Sequence, residues 1–271
     1  MSRTASVHKP IGVFDSGIGG LTVLRELAAR LPGEDLVYLG DTARVPYGIR
    51  SPSTVIRYSF QNAGFLIRQG IKALVVACNT ASAVSIEKLR DRFPIPVLGV
   101  IEPGAKAAVR HTASGRVGVI GTEATIRSGA YQKVLTVMME DVEISARACP
   151  LFVPLVEEGW VSGKVTRDVV REYLRPLKKS RVDTLVLGCT HYPLLREAIG
   201  EYMGEHTTLI DSAVETANEA KAMLRERGLA RIGRRRGEMS FFVTDSPDRF
   251  SMVGERFLGN PIDRITLIDI V

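Results

Sequence analysis

The chain has 271 residues, 45% hydrophobic and 24% charged, enough for one large domain or two ordinary ones with a full apolar core and too apolar for disorder. Its net charge of +6 is local: Arg225, Arg227, Arg231, Arg234, Arg235 and Arg236, less Glu226, carry +5 of it. This run reads as a solvated helix end and loop, and nucleic acid is not an expected partner. The opening MSRTASVHKP lacks the apolar segment of a secretory signal, and no apolar run reaches membrane-spanning length, so a cytoplasmic protein with no membrane contact is expected.

Short apolar runs rich in branched residues recur along the chain, with amphipathic segments of helical length between them. The first are at 11–14, 36–39, 73–77 and 97–101. Continuous runs of this kind read as buried parallel strands. The glycine-rich turn GIGG at 17–20, after the first run, matches neither GxGxxG nor a phosphate-binding loop with its lysine, so a nucleotide site is not expected. Asp41 and Tyr47, in the loop after the second run, suit turn positions. One connecting helix is well punctuated: Ser51 as cap, Pro52 in the first turn, Gly70 as stop.

The second half repeats the scheme, with runs at 117–120, 144–149, 184–187 and 208–210. IGVFDS from Ile11 aligns with VGVIGT from Val117 at an offset of 106, and LVVACNT from Leu74 with LVLGCTH from Leu185 at an offset of 111. Two pairs in the same order at nearly constant offset point to duplication of one α/β unit. Ligands of open parallel sheets bind beyond the carboxyl ends of strands, and Asp15, Ser16, Cys78, Asn79, Thr80, Thr122, Cys189, Thr190 and His191 all fall at such ends. If the halves face each other about a pseudo-two-fold axis, Cys78 and Cys189 enter one cleft from opposite sides.

The three cysteines, Cys78, Cys149 and Cys189, are too few and scattered for a disulfide framework and fit no zinc spacing. Cys149, without a counterpart or polar follow-on, reads as core. The other two precede helices, the first expected near Ala81, and a helix start favours thiolate over thiol. A single nucleophile needs no twin. Two thiols on opposite faces of a stereocentre suit removal of a proton from carbon and its return on the other face, which is racemisation or epimerisation.

Six motifs occur in order: DSGIGG at 15–20, GDTARVPYG at 40–48, ACNTAS at 77–82, VIEPG at 100–104, VPLVEEG at 153–159 and GCTHYPLL at 188–195. Together they closely resemble the glutamate racemases of the aspartate/glutamate racemase superfamily, over residues 10 to at least 257. The resemblance implies two similar parallel-sheet α/β domains, placed at 9–103 with 215–271 and at 104–214, with the active site between them. It implies no cofactor, Cys189 acting on L-glutamate and Cys78 on D-glutamate, and assistance from Asp15, His191 and Glu157 in proton handling. Asp15, Ser16, Tyr47, Gly48, Asn79, Thr80, Thr122, Thr190 and His191 would hold the substrate. It further implies a homodimer and a supply of D-glutamate to bacterial peptidoglycan.

Taken singly, these residues have plainer readings. Asp15 or Ser16 can cap the following helix, His191 can be an ordinary hydrogen-bonded histidine, and only the motif prefers Glu157 over Glu158. His8, His111 and His206 have no motif context. The rival enzymes are an aspartate racemase of the same superfamily and a decarboxylase, which needs one thiol. A rival of another class is a binding protein that inhibits DNA gyrase, an activity that would survive loss of both thiols.

Overall fold

The computed structural model describes residues 7–233 and 235–270. Arg234 of the arginine cluster, Val271 and the first six residues, which belong to the reading of the opening segment, lie outside them.

The apolar runs form the interiors of two parallel sheets. The first holds β1 (Ile11–Asp15), β2 (Leu36–Gly40), β3 (Ala73–Val76) and β4 (Val97–Gly99). The second holds β5 (Arg116–Gly121), β6 (Glu143–Ala148), β7 (Thr184–Gly188) and β8 (Thr208–Asp211). Helices α1 (Leu21–Arg30), α2 (Pro52–Arg68), α3 (Asn79–Arg92) and α4 (Ile101–His111) follow β1 to β4. In the second half α5 (Glu123–Arg127) and α6 (Ala130–Met138) follow β5, α7 (Phe152–Glu157) and α8 (Lys164–Lys179) follow β6, α9 (Arg196–Met203) follows β7, and α10 (Ser212–Glu226) follows β8.

Strand order shows the duplication directly. The first sheet contains β2-β1-β3-β4 and the second runs β6-β5-β7-β8, every neighbour parallel. The register is repeated too: Gly12 lies opposite Leu74, and Gly118 opposite Leu185, the residues that the two sequence offsets map onto each other. In each sheet the order reverses at the first strand of the unit, which opens a crevice at the carboxyl ends of β1 and β3 and of β5 and β7. The central strands β1, β3 and β7 are buried throughout, whereas β6 is only partly covered because it is paired on one side alone.

Several local expectations change. The run at 97–101 gives a strand only to Gly99, and α4 begins at Ile101. The helix after Cys78 begins at Asn79, two residues before Ala81. The Ser51 hydroxyl does cap α2, accepting from Thr54 N–H at 3.3 Å, and Gly70 takes the left-handed conformation, φ +77°, that ends it. Beyond the eight repeated strands, β9 (Met239–Val243) and β10 (Ile265–Leu267) flank α11 (Pro247–Leu258) and extend the first sheet beside β2.

The arginine cluster is not uniformly solvated. Arg231 is turned inward, 8% exposed, and its guanidinium bonds Asp35 at 2.5 Å and the His8 carbonyl at 2.6 Å. Its backbone N–H donates to Glu34, which also pairs with the buried Lys72, and Arg235 pairs with Glu238. Much of the local positive charge therefore ties the segment before β9 to the amino ends of the first sheet. Among the described residues no helix is long and apolar enough to cross a membrane.

Candidate active site

The carboxyl ends of β1, β3, β5 and β7 surround one cavity of about 180 Å³. Cys78 and Cys189 both line it, with Ser16, Tyr47, Gly48, Asn79, Thr80, Thr122, Thr190 and His191. Asp15 and Glu157 do not line it. Each stands one layer behind, and the structure shows what each supports.

Cys78 precedes the first turn of α3, and its Sγ donates to Ser16 Oγ at 3.6 Å. The expectation of a thiolate at a helix start fails here. Burial pushes the Cys78 thiol up to about 12, the Asp15 charge pushes the same way, and the Ala81 N–H and Ser16 oppose them without prevailing. Asp15 is wholly buried. Its carboxyl is raised by burial, against the pull of His191 and the backbone N–H groups of Gly17, Gly20 and Ser16. It does not cap α1, whose N-cap Gly20 has no side-chain bond; one oxygen accepts from Gly17 N–H at 2.9 Å and the other has no partner among the described residues.

The other thiol has different neighbours. His191 Nδ1 lies 3.9 Å from Cys189 Sγ, and Nε2 lies 3.1 Å from Glu157 Oε1. Burial favours the neutral ring, but the sulfur on one nitrogen and the carboxylate on the other outweigh it and push the His191 pKa up to about 10. The hydrogen bond from His191 in turn holds the Glu157 carboxyl below its usual range despite burial, with Arg249 adding to the effect. Glu158 is not part of this contact; it lies 3.8 Å from Arg249. Cys149 is buried, as core, and its thiol is raised by burial.

Polar groups on the walls are suited to anionic ligand atoms. Asn79 Oδ1 accepts from Tyr131 at 2.8 Å, which fixes the amide and leaves its buried Nδ2 without a partner among the described residues. The hydroxyls of Thr80 and Thr122 are 2.9 Å apart, and that of Thr125 stands 3.2 Å and 3.0 Å from them. The first turn of α3 adds backbone N–H groups at the positive end of a helix. Tyr47 differs: its hydroxyl is turned into the protein, donating to Asp41 beside Asn62, so it offers the cavity no hydroxyl donor.

Two glycines allow the halves to approach. A Cβ on Gly19 would lie 2.3 Å from Thr190 Oγ1 and 2.4 Å from His191 Nδ1. One on Gly48 would lie 2.8 Å from Thr122 Cβ. The glycine-rich turn after β1 therefore lets the Cys189 loop pack directly against it.

Sequence reasoning missed the apolar rim. Val45, Pro46 and Ile49 on one side and Pro150, Val153 and Pro154 on the other line the cavity, with Glu123 beside Thr122. Val45, Pro46, Val153 and Pro154 were inside quoted motifs, but short apolar loop residues carry no signal of their own. No group of three or more metal-binding side chains occurs among the described residues.

Comparison with known proteins agrees with this geometry. Residues 11–220 match the Asp/Glu/Hydantoin racemase family. A glutamate racemase of Geobacter metallireducens is 56% identical over 254 residues, 94% of each chain. The crystal structure of a Bacillus anthracis glutamate racemase superposes with a TM-score of 0.94 at 42% identity, over 97% of this chain and 98% of that one. A Francisella tularensis glutamate racemase, solved in complex with D-glutamate, gives 0.92 at 38% identity over the same shares. With a matched family across most of its length and relatives of that similarity, the chain belongs to the Asp/Glu/Hydantoin racemase family.

Proposed function

We propose that the chain interconverts L- and D-glutamate by exchanging the α-proton between two thiols, without a cofactor. The observation that carries this reading is the placement of Cys78 and Cys189 at equivalent strand ends of two repeated sheets, lining one cavity. In the L-to-D direction the Cys189 sulfur, as thiolate, takes the proton from Cα, and the C–H electron pair passes into the α-carboxylate. The Cys78 thiol then delivers its proton to the opposite face. The cycle leaves Cys189 as thiol and Cys78 as thiolate, and proton exchange restores the start.

The electrostatics suit that direction of resting charge. A thiol pushed up to about 12 keeps its proton at neutral pH and is ready to donate it. A charged His191 ring 3.9 Å from Cys189 supplies the counter-charge for a sulfur anion. Asp15 stands on the Cys78 side and serves as its proton partner when D-glutamate is the substrate. The free Asn79 amide, the hydroxyls of Ser16, Thr80, Thr122 and Thr190, and the N–H groups at the start of α3 receive the carboxylates. The choice of glutamate over aspartate rests on the names of the relatives above.

The same reading places the enzyme in a bacterial cytoplasm, as a homodimer, supplying D-glutamate for peptidoglycan. Light scattering that finds only monomer, with and without glutamate, refutes the dimer. The central test is proton NMR in D₂O with each glutamate enantiomer, alongside optical rotation, for wild type, Cys78→Ser and Cys189→Ser. Wild type should exchange the α-proton and invert both enantiomers, and each serine variant should lose racemisation. Exchange with aspartate alone overturns the substrate; full racemisation in either serine variant overturns the two-base mechanism.

A further inference from the structure

The motifs leave the C-terminal helix α11 without a role, yet it touches the His191–Glu157 pair at three points. Arg249 approaches Glu157 Oε2 at 3.4 Å, on the oxygen that does not face His191. Arg256 donates to the Glu157 backbone carbonyl at 3.4 Å and lies against Gly159, where a Cβ would meet it at 2.6 Å. Phe257 meets the His191 ring edge-on, centroids 5.1 Å apart at 79°. Arg256 and Phe257 follow Arg249 by about two turns, at i+7 and i+8, so the three lie on one broad helix face. The same helix is anchored on the first sheet, where Phe250 packs on Tyr38, whose hydroxyl donates to the Gly17 carbonyl.

We propose that α11 is a positioning element for the Cys189 side of the site: Arg249 holds the Glu157 carboxylate on His191, and Phe257 fixes the plane of the ring. This deepens the two-thiol reading and rests on it for its catalytic consequence. The geometry gives the reason. Glu157 sits at the end of the short helix α7 and is partly exposed, so its carboxylate has room to turn to solvent. With Oε2 held by Arg249, Oε1 is kept on Nε2. The other charged or titratable groups facing the ring are Cys189 on its own loop and Asp15 at the end of β1. Glu158 shares Arg249, and Arg256 stands behind Glu157. A guanidinium acting only as a nearby cation would disfavour charge on the imidazole. One that holds the carboxylate in place favours it. The two roles predict opposite signs.

The test is an NMR titration of the full chain labelled at histidine. Its four histidines are separable because the His191 signal disappears in His191→Asn. In Arg249→Gln the His191 midpoint should fall by about one pH unit, and Arg249→Lys should restore it, with melting temperature unchanged in both. Racemisation should show kcat reduced about tenfold with KM for glutamate little changed, since Arg249 does not line the cavity. The two enantiomers are equal in free energy, so kcat/KM stays equal in the two directions, and the effect is read in kcat for each direction separately. An unmoved or raised midpoint overturns the proposal, as does a fall matched by loss of melting temperature. Because the titration needs no turnover, a wild type that racemised nothing would overturn the two-thiol reading while this test still decided what Arg249 does.

Discussion

Cys78 and Gly19 show how single residues set the chemistry. The Cys78 thiol is pushed up to about 12, by burial first and by Asp15 second, so its reactivity should climb with pH well past the range of an ordinary cysteine. Alkylation of Cys78 by iodoacetamide, followed by peptide mass spectrometry, should rise about tenfold per pH unit from 8 to 10 without levelling. In Asp15→Asn the rate at pH 8 should increase, because the variant removes a negative charge that opposes the thiolate. A plateau near pH 8.5 in the wild type would show that the burial has been overcome. Gly19→Ala probes the other thiol. Its Cβ would lie 2.3 Å from Thr190 Oγ1 and 2.4 Å from His191 Nδ1, so the Cys189 loop must shift. We expect a stability cost of about 1–3 kcal/mol by urea unfolding and kcat lowered about 100-fold. Wild-type activity in Gly19→Ala would mean that the position of His191 is not critical. Eight of the ten expected residues that line the cavity were legible from their place at strand ends, while Tyr47 and Gly48 came only from the family resemblance. The charge states of the site were not legible, since the balance at Cys78 of burial and Asp15 against the Ala81 N–H and Ser16, and at His191 of burial against Cys189 and Glu157, exists only after folding.

Connections between elements carry energy that composition hides. The loop between α4 and β5 is clamped by Asp183, which precedes β7. The carboxylate accepts from the hydroxyls of Thr112 and Ser114 at 2.7 Å each and from the N–H groups of Ala113 and Ser114 at 2.9 and 2.6 Å. Burial is the largest single influence and raises its pKa, but these four donors together outweigh it and bring it down to about 2. A folded-state pKa below the unfolded value means that the contribution is fully present above about pH 4 and is lost as pH falls through about 2. Discounted for solvent screening, it is about 1 kcal/mol. Asp183→Asn should therefore be less stable than wild type by about that amount in urea at pH 6, with the gap narrowing as pH approaches 2. A constant gap would assign the cost to packing. The repeated strands were legible as elements because they are continuous apolar runs between helices. The additional strands β9 and β10 were not: the sequence MSFFV at 239–243 is short, follows the arginine-rich segment, and has no partner in the repeat. Only its pairing with β2 reveals it. Arg231 was misread for the same reason, since its partners Asp35 and His8 lie about two hundred residues away in the chain.

At the scale of the whole molecule, the two sheets meet where each is least regular, at loops that follow their central strands. Specific contacts link the two halves across this junction. Thr22 donates to the Thr190 carbonyl at 3.1 Å, Thr80 meets Thr122 at 2.9 Å, and Gly48 lies against Thr122. The helix α10 adds a second junction away from the cavity, through Lys106–Glu219 at 2.9 Å and Arg30–Asn218 at 2.8 Å. Duplication was readable from two offsets in the sequence, but the approach of the halves was not, because it depends on which loop residues are small enough to interlock. A ligand bridging donors from both halves should then stabilise the folded chain as a unit. The double variant Cys78→Ser, Cys189→Ser cannot pass protons between thiols, so binding is read without turnover. At D-glutamate one hundred times its Kd, linkage gives about 2.7 kcal/mol, and the melting temperature should rise by about 5–10 °C. Hydrogen exchange should slow at the start of α3 in the first half and at Thr122 in the second, both in the same titration. Protection confined to one half, or an equal rise with aspartate at the same concentration, would mean that glutamate does not bridge the halves as proposed.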